Sequence, residues 1–230
     1  MTNLYIFILA GGLGTRLQSS IDDVPKPMAP IQGRPFLDYI IDHIRLQFED
    51  SPIYLLTHHL SHIIEGYYKA DKTIQIIKEP VRLGTGGAIK YAAEALNIKD
   101  APLLIINGDT YHHLNFNQFI SSSPKHPITI ASRLVSNAAR YGTLLIEHDQ
   151  VIDFIEKQNK VASGLINLGS YFLKTTSILD ECPNGNFSFE HQLEQWLSSH
   201  DLTIGHYNYV GPFIDIGIPE DYERMIDLMS

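Results

Sequence analysis

Apolar residues cluster in short blocks at residues 4–10, 53–57, 74–78 and 103–107, a pattern that predicts buried strands. Between the blocks the apolar period lengthens. Across 35–48, Phe36, Leu37, Ile40, Ile41 and Ile44 recur on one face of a helix, and Pro35 suits its first turn. A second helix is expected over 86–96. Strand and helix alternating at this spacing predict parallel βαβ units with helices on both faces of the sheet, and such sheets bind ligands at the carboxyl ends of their strands.

After about residue 126 the pattern changes. Strands at 128–134, 143–147, 151–156 and 165–173 follow one another without long helices, so this half is expected to be mixed or antiparallel. A helix over 188–199, a strand around 203–209 and a closing helix over 219–228 complete the chain. The stripe of Phe187, Phe189, Leu193 and Trp196 reads as core packing. With no repeat, linker or low-complexity tract, the change of pattern marks a subdomain, and residues 1–230 are read as one α/β domain with halves of about 1–125 and 126–230.

The composition agrees with a packed globular fold: 44% of the 230 residues are hydrophobic and 19% charged, with a mean hydropathy of −0.06. The block at 4–10 lacks a preceding basic region and is too short for a signal peptide or a membrane span. Cys182 is the sole cysteine, so neither an intrachain disulfide nor a cysteine zinc site can form, which fits a reducing, cytoplasmic setting. Against 17 basic residues stand 26 acidic ones, a formal charge of −9. That balance disfavours nucleic acid and anionic membrane as partners. An anionic ligand must therefore be held by a few placed cations and backbone amides.

Such a place follows the first strand. In Ala10-Gly11-Gly12-Leu13-Gly14-Thr15-Arg16-Leu17, three glycines let the backbone turn and present amides to a phosphate. Leu17 in place of a third spaced glycine excludes the dinucleotide fingerprint, and the Gly-Lys-Ser/Thr ending of a P-loop is missing. Pro25-Lys26-Pro27-Met28 follows at a distance that lets Lys26 return to the strand end beside Arg16, with prolines restricting the backbone on both sides. Leu9 to Leu17 followed by Pro25-Lys26-Pro27-Met28 resembles the signature of the sugar-phosphate nucleotidyltransferases.

That resemblance implies a three-layer αβα, Rossmann-like fold with a mixed, mainly parallel central sheet. It also implies that Leu9, Ala10, Gly11, Gly12, Gly14, Thr15 and Arg16 embrace a nucleoside triphosphate while Lys26 contacts phosphate oxygens. Leu83-Gly84-Thr85-Gly86-Gly87-Ala88 is similar to the family's loop near the base, which makes Glu79, Gly84 and Thr85 base or ribose neighbours. By position, Tyr141, Gly142, Glu156, Lys157 and Asn167 resemble the sugar-phosphate-binding segments.

Asn107-Gly108-Asp109 ends a predicted strand and places a hard oxygen donor where such sheets bind ligands, chemistry that suits magnesium. A turn-forming role for Asp109 is the alternative. In family terms Asp109 and Asp215, in Phe213-Ile214-Asp215-Ile216-Gly217, resemble the two Mg2+ ligands, and Arg16, Lys26, Asp109, Lys157 and Asp215 the catalytic set. Asp221 suits the start of the last helix. His58, His59 and His62 read as surface or structural residues, and His112 and His113 follow Asp109 without assigned chemistry.

The reaction implied is attack by a sugar 1-phosphate on the α-phosphorus of a nucleoside triphosphate, with pyrophosphate released. Residues 25–31 and 83–90 look closest to the D-glycero-α-D-manno-heptose 1-phosphate guanylyltransferases, making GTP and that heptose phosphate the expected substrates. Mannose 1-phosphate guanylyltransferases and the uridylyl, thymidylyl and cytidylyl enzymes stay open. So do a nucleotide-sugar-binding regulatory subunit and a glycosyltransferase. No hexapeptide-repeat extension follows residue 230, so a homo-oligomer is expected to use another surface.

Overall fold

The computed structural model describes residues 3–12, 24–123, 125–155 and 162–230. Along the chain the elements are β1 (Tyr5–Leu9), a 3-10 turn (Lys26–Met28), β2 (Pro30–Ile31), β3 (Arg34–Pro35), α1 (Phe36–Arg45), β4 (Ile53–Thr57), α2 (Ser61–Tyr68) and β5 (Ile74–Lys78). Then come α3 (Gly84–Ala95), β6 (Leu103–Asn107), β7 (Thr110–His112), α4 (Phe116–Ser121), β8 (Ile128–Val135), β9 (Thr143–Glu147), β10 (Gln150–Ile155) and β11 (Gly164–Leu173). A second 3-10 segment (Thr176–Glu181), α5 (Phe189–Ser199), β12 (Ile204–Asn208), β13 (Phe213–Asp215) and α6 (Pro219–Leu228) complete it. Among the described residues no helix is long and apolar enough to cross a membrane.

Two compact units interleave along the sequence. The first holds Tyr5–Arg82, Ile106–His113 and Pro212–Ser230; the second is built mainly from Leu83–Ile105 and Leu114–Gly211. In the first, β5, β4 and β1 lie side by side and parallel, with Ile6 opposite Ile53 and Ile53 opposite Ile74. Ile6, Phe7, Ile8 and all five residues of β4 are buried, as strands covered on both faces require. Helix α1 turns Phe36, Leu37, Ile40, Ile41 and Ile44 inward, the face expected from its spacing. Pro35 sits immediately before its first turn, and Asp38 near the start with Arg45 near the end complement the helix dipole.

In the second unit the strands close on themselves. β8 pairs with β11, β11 with β9, β9 with β10, β10 with β12 and β12 with β8. Only β12–β8 is parallel in this circuit. The protein is thus α/β with a mixed sheet, and its second half is largely antiparallel as the strand pattern there predicted; what is corrected is the expectation that the sheet is mainly parallel, because five strands form a mostly antiparallel, barrel-like part. The cause lies in β11. Its ten residues shift register against β8 between Asn167 and Tyr171, and such a bulge bends a strand enough to let its first half also reach β9. Closure leaves these strands without an open edge.

Of the expected core stripe, Phe189, Leu193 and Trp196 of α5 are buried in this unit while Phe187, before the helix, is half-buried, and Tyr171 packs edge-on against Phe189 at 5.2 Å. The glycines at the start of α3 answer to packing. The amides of Gly86 and Gly87 both donate to the Phe187 carbonyl, at 3.1 and 3.4 Å, while the Phe187 amide donates to the Leu83 carbonyl at 2.9 Å. A Cβ on Gly87 would stand 2.2 Å from the Gly185 carbonyl oxygen. Helix propensity alone favours Gly87→Ala by about 1 kcal/mol. Because the backbone of residues 185–187 must retreat, this substitution is expected instead to cost about 1–3 kcal/mol. Thermal unfolding checks it: a lower Tm is expected, and a raised one would contradict the close approach.

Candidate active site

Short-range geometry sets Lys26 first. Pro25 holds an extended backbone, the Met28 amide closes a turn onto the Pro25 carbonyl at 2.7 Å, and Ala29 closes the next onto Lys26 at 3.1 Å. Pro27 and Met28 are buried beneath that turn, which anchors it and leaves only the lysine side chain to project. Its ammonium lies between two carboxylates: 2.7 Å from Asp109 Oδ2 and 3.1 Å from Asp215 Oδ1.

The two aspartates are neighbours because β7 and β13 pair. Phe213 lies opposite His112, Ile214 opposite Tyr111 and Asp215 opposite Thr110, and the Ile216 amide donates to the Asp109 carbonyl at 3.1 Å. Asp215 Oδ1 also accepts the Gly217 amide at 2.9 Å, which fixes its rotamer. Only glycine leaves room there: a Cβ on residue 217 would come within 2.9 Å of that oxygen and 3.3 Å of Lys26 Nζ. At the same end of the ladder the Gly108 amide donates to the Leu9 carbonyl at 3.0 Å, joining the Asp109 turn to the end of β1.

Electrostatics keep the lysine charged. Burial is the strongest single influence on Lys26 and works against its charge, but attraction and hydrogen bonds from Asp109 and Asp215 together outweigh it, so its pKa lies above the usual lysine value. One ammonium between two carboxylates leaves a negative charge over. An ammonium held there marks a point where a cation is favoured, and two carboxylates are a donor set that Mg2+ takes together with water and phosphate oxygens. The residues present therefore fit a magnesium ion completed by substrate. Among the described residues no group of three or more His, Cys, Asp or Glu forms a closed metal cage.

Around this centre, Ala10 is held by its amide on the Leu56 carbonyl at 2.8 Å, and Gly11 leaves β1 close to Glu79, whose Oε1 would lie 2.9 Å from a Cβ there. Glu79 is buried. Leu13, Gly14, Thr15, Arg16 and Leu17, and likewise Glu156 and Lys157, fall outside the described residues. His112, in β7, is fully buried, and burial first, then His43 and His113, pushes its pKa down to about 3. His113 stacks on His43 at 5.2 Å. Asp221 stands in the first turn of α6 as expected and pairs with Arg224 at 2.5 Å.

The other candidates belong to the second unit. Asn167 Nδ2 donates to the Tyr171 hydroxyl at 2.7 Å; that hydroxyl donates to Glu190 Oε1 at 3.1 Å; and Thr85 donates to Glu190 Oε2 at 2.8 Å. Gly84 adopts a positive φ of 72° beside Phe187. Tyr141 lies under the Arg140 guanidinium at 5.3 Å and Gly142 precedes β9. Glu190 and Tyr171 were missed by sequence reading: Glu190 looks like an ordinary helix-start acid, and Tyr171 an ordinary strand residue.

The end of a parallel strand, with a cation and two aspartates gathered by a short ladder, offers charges of the kind that handle phosphate and a divalent cation. The chain matches the Nucleotidyl transferase family over residues 6–227 and belongs to it: it is a nucleotidyltransferase. It is 38% identical over 228 residues to the D-glycero-alpha-D-manno-heptose 1-phosphate guanylyltransferase of Campylobacter jejuni, covering 95% of this chain and 97% of that one. A protein of the same name from Aneurinibacillus thermoaerophilus is 36% identical over 226 residues, 94% of each. HddC of Yersinia pseudotuberculosis, solved as a complex with GMP-PN, superposes with a TM-score of 0.85 at 36% identity over 100% of both chains.

Two expectations follow. Removing the ammonium with Lys26→Met leaves the partly buried Asp109 and Asp215 facing each other, and a loss of about 1–3 kcal/mol in urea unfolding at pH 7.5 is expected, below the value for a fully buried pair because these groups retain some solvent. Wild-type stability in the variant would contradict the pairing. Second, the unfolded chain takes up a proton below pH 6.5 that folded His112 refuses until about pH 3. Stability should therefore fall with pH across that window, by up to about 1.4 kcal/mol per unit from this residue. In His112→Asn the urea midpoint should vary less between pH 7 and 5; parallel profiles would contradict the assignment.

Proposed function

We propose that the protein condenses a nucleoside triphosphate with a sugar 1-phosphate, GTP and D-glycero-α-D-manno-heptose 1-phosphate being the pair favoured, to give the nucleoside diphosphate sugar and pyrophosphate. The observation that carries the reading is the Lys26 ammonium between Asp109 and Asp215, in a chain that aligns over nearly its whole length with two enzymes named for that guanylyl transfer. An oxygen of the sugar phosphate bonds to the α-phosphorus as the bond to the bridging oxygen of pyrophosphate breaks, and the electron pair leaves with pyrophosphate. No covalent enzyme intermediate is required.

Both substrates are anions, so the protein's work is to position them and to balance charge. In this reading Asp109 and Asp215 hold Mg2+, which when bound supplies Lewis-acid stabilisation of phosphate charge. Lys26 keeps its proton, sets the spacing of the two carboxylates and offers its positive charge to a phosphate oxygen. The backbone from Leu9 through Gly11, Gly12 and Gly14 to Thr15, with Arg16, takes the triphosphate. Glu79, Gly84 and Thr85 serve the base and ribose, while Tyr141, Gly142, Glu156, Lys157 and Asn167 take the sugar phosphate. A cytoplasmic setting, where both substrates are made, belongs to the same reading.

A pyrophosphate-release screen with magnesium tests it, crossing GTP, UTP, dTTP, CTP and ATP with heptose, mannose, glucose and N-acetylated sugar 1-phosphates. Selective release with GTP and the heptose phosphate is expected; selective release with another pair would overturn the substrate assignment. Asp109→Asn and Asp215→Asn are each expected to lower kcat by about 100-fold or more, and full turnover in either would remove that residue from the metal site.

A further inference from the structure

The hydrogen bonds around Asn167 have a direction. A carboxylate only accepts, so Glu190 takes hydrogens from all three hydroxyls that reach it: Tyr171 on Oε1 at 3.1 Å, and Thr85 and Ser188 on Oε2 at 2.8 and 2.7 Å. The Thr85 oxygen also accepts the Phe189 amide at 2.8 Å, which holds its hydroxyl in place while the hydrogen goes to Glu190. With its hydrogen committed to Glu190, the fully buried Tyr171 hydroxyl turns a lone pair toward Asn167. Asn167 must then present its NH2 to that lone pair, at 2.7 Å, and its carbonyl oxygen to the Gly169 amide, at 2.9 Å.

The amide of Asn167 is therefore held at both ends, and one of the two hydrogens on Nδ2 has no partner among the described residues. Asn167, opposite Ser132, is the last paired residue before β11 shifts register against β8, so the bulge begins at its side chain and the restraint acts there.

We propose that Glu190 is a positioning residue for the sugar phosphate: acting through Tyr171, it fixes the Asn167 amide as a hydrogen-bond donor toward an oxygen of the sugar, a hydroxyl or the ring oxygen. The inference rests on the reading of Asn167 as a sugar contact. Removing the carboxylate frees the Tyr171 hydroxyl to donate toward Asn167, which then turns its carbonyl to tyrosine and loses its fixed donor. An unpaired or misdirected hydrogen bond of this kind costs about 1–1.5 kcal/mol, close to tenfold in affinity.

Steady-state kinetics of Glu190→Ala, Tyr171→Phe, Glu190→Gln and Asn167→Asp test this, using the sugar phosphate and nucleotide pair selected by the pyrophosphate screen. Glu190→Ala and Tyr171→Phe are each expected to raise the KM for the sugar phosphate about tenfold, and in Tyr171→Phe, which leaves the Thr85–Glu190 bond in place, kcat and the nucleotide KM should move less than about twofold. Glu190→Gln, whose amide oxygen can still accept from Tyr171, should recover most of the loss, and Asn167→Asp should show the largest KM. A brace between α3 and α5 alone would lower Tm without separating the two KM values. If Asn167→Asp raises the sugar phosphate KM while Glu190→Ala and Tyr171→Phe keep the wild-type value, the relay is wrong and the sugar contact stands. If Asn167→Asp leaves that KM unchanged, the sugar contact itself is wrong and the relay falls with it. Tyr171→Phe, which removes a single oxygen, carries the test if Glu190→Ala does not fold.

Discussion

The account depends on one ammonium held between two carboxylates. Asp109 and Asp215 come from distant parts of the chain and would repel each other if left alone; Lys26 makes their proximity favourable, and their combined field keeps the lysine charged despite its burial. Each partner is placed by backbone: Lys26 by its flanking prolines, Asp109 by the turn after β6, and Asp215 by the pairing of β13 with β7. The Gly217 amide then selects the Asp215 rotamer. The three charged groups are thus held in place by the fold itself, the preorganisation that charge-handling enzymes exploit.

Much of this was legible in the amino-acid order, because some constraints are local. The face of α1, the buried runs of β1, β4 and β6, and the strands from β8 to β11 all follow from apolar spacing, whereas in β5, expected to be buried, only Ile74 is. Lys26, Asp109 and Asp215 were marked by their motifs. What the chain did not disclose was their relation to one another. A three-residue ladder such as β7–β13 is too short to leave a periodic trace, and the direct pairing of Lys26 with both aspartates is a long-range event that no local pattern encodes.

The same division explains the correction to the sheet. Alternating β and α elements predicted parallel units in the first half, with which the parallel order of β5, β4 and β1 agrees, and the family resemblance extended this to a mainly parallel sheet. The closure of β8, β11, β9, β10 and β12 depends on a register slip inside β11, which apolar spacing does not reveal. The slip follows directly on Asn167, whose side chain amide bonds the Tyr171 hydroxyl on the far side of the shift. The Gly84 to Gly87 run shows the converse: a motif similar to a nucleotide loop also meets a packing demand, the approach of residues 185–187 to the start of α3.

Binding of Mn2+, a paramagnetic substitute for magnesium, measured by electron paramagnetic resonance in the presence of a nonhydrolysable GTP analogue, tests the central claim most directly. The account predicts a bound-ion signal in the wild-type protein that is lost in both Asp109→Asn and Asp215→Asn while each variant retains the wild-type circular dichroism spectrum. A signal of wild-type strength in both variants would place the metal elsewhere and contradict the account.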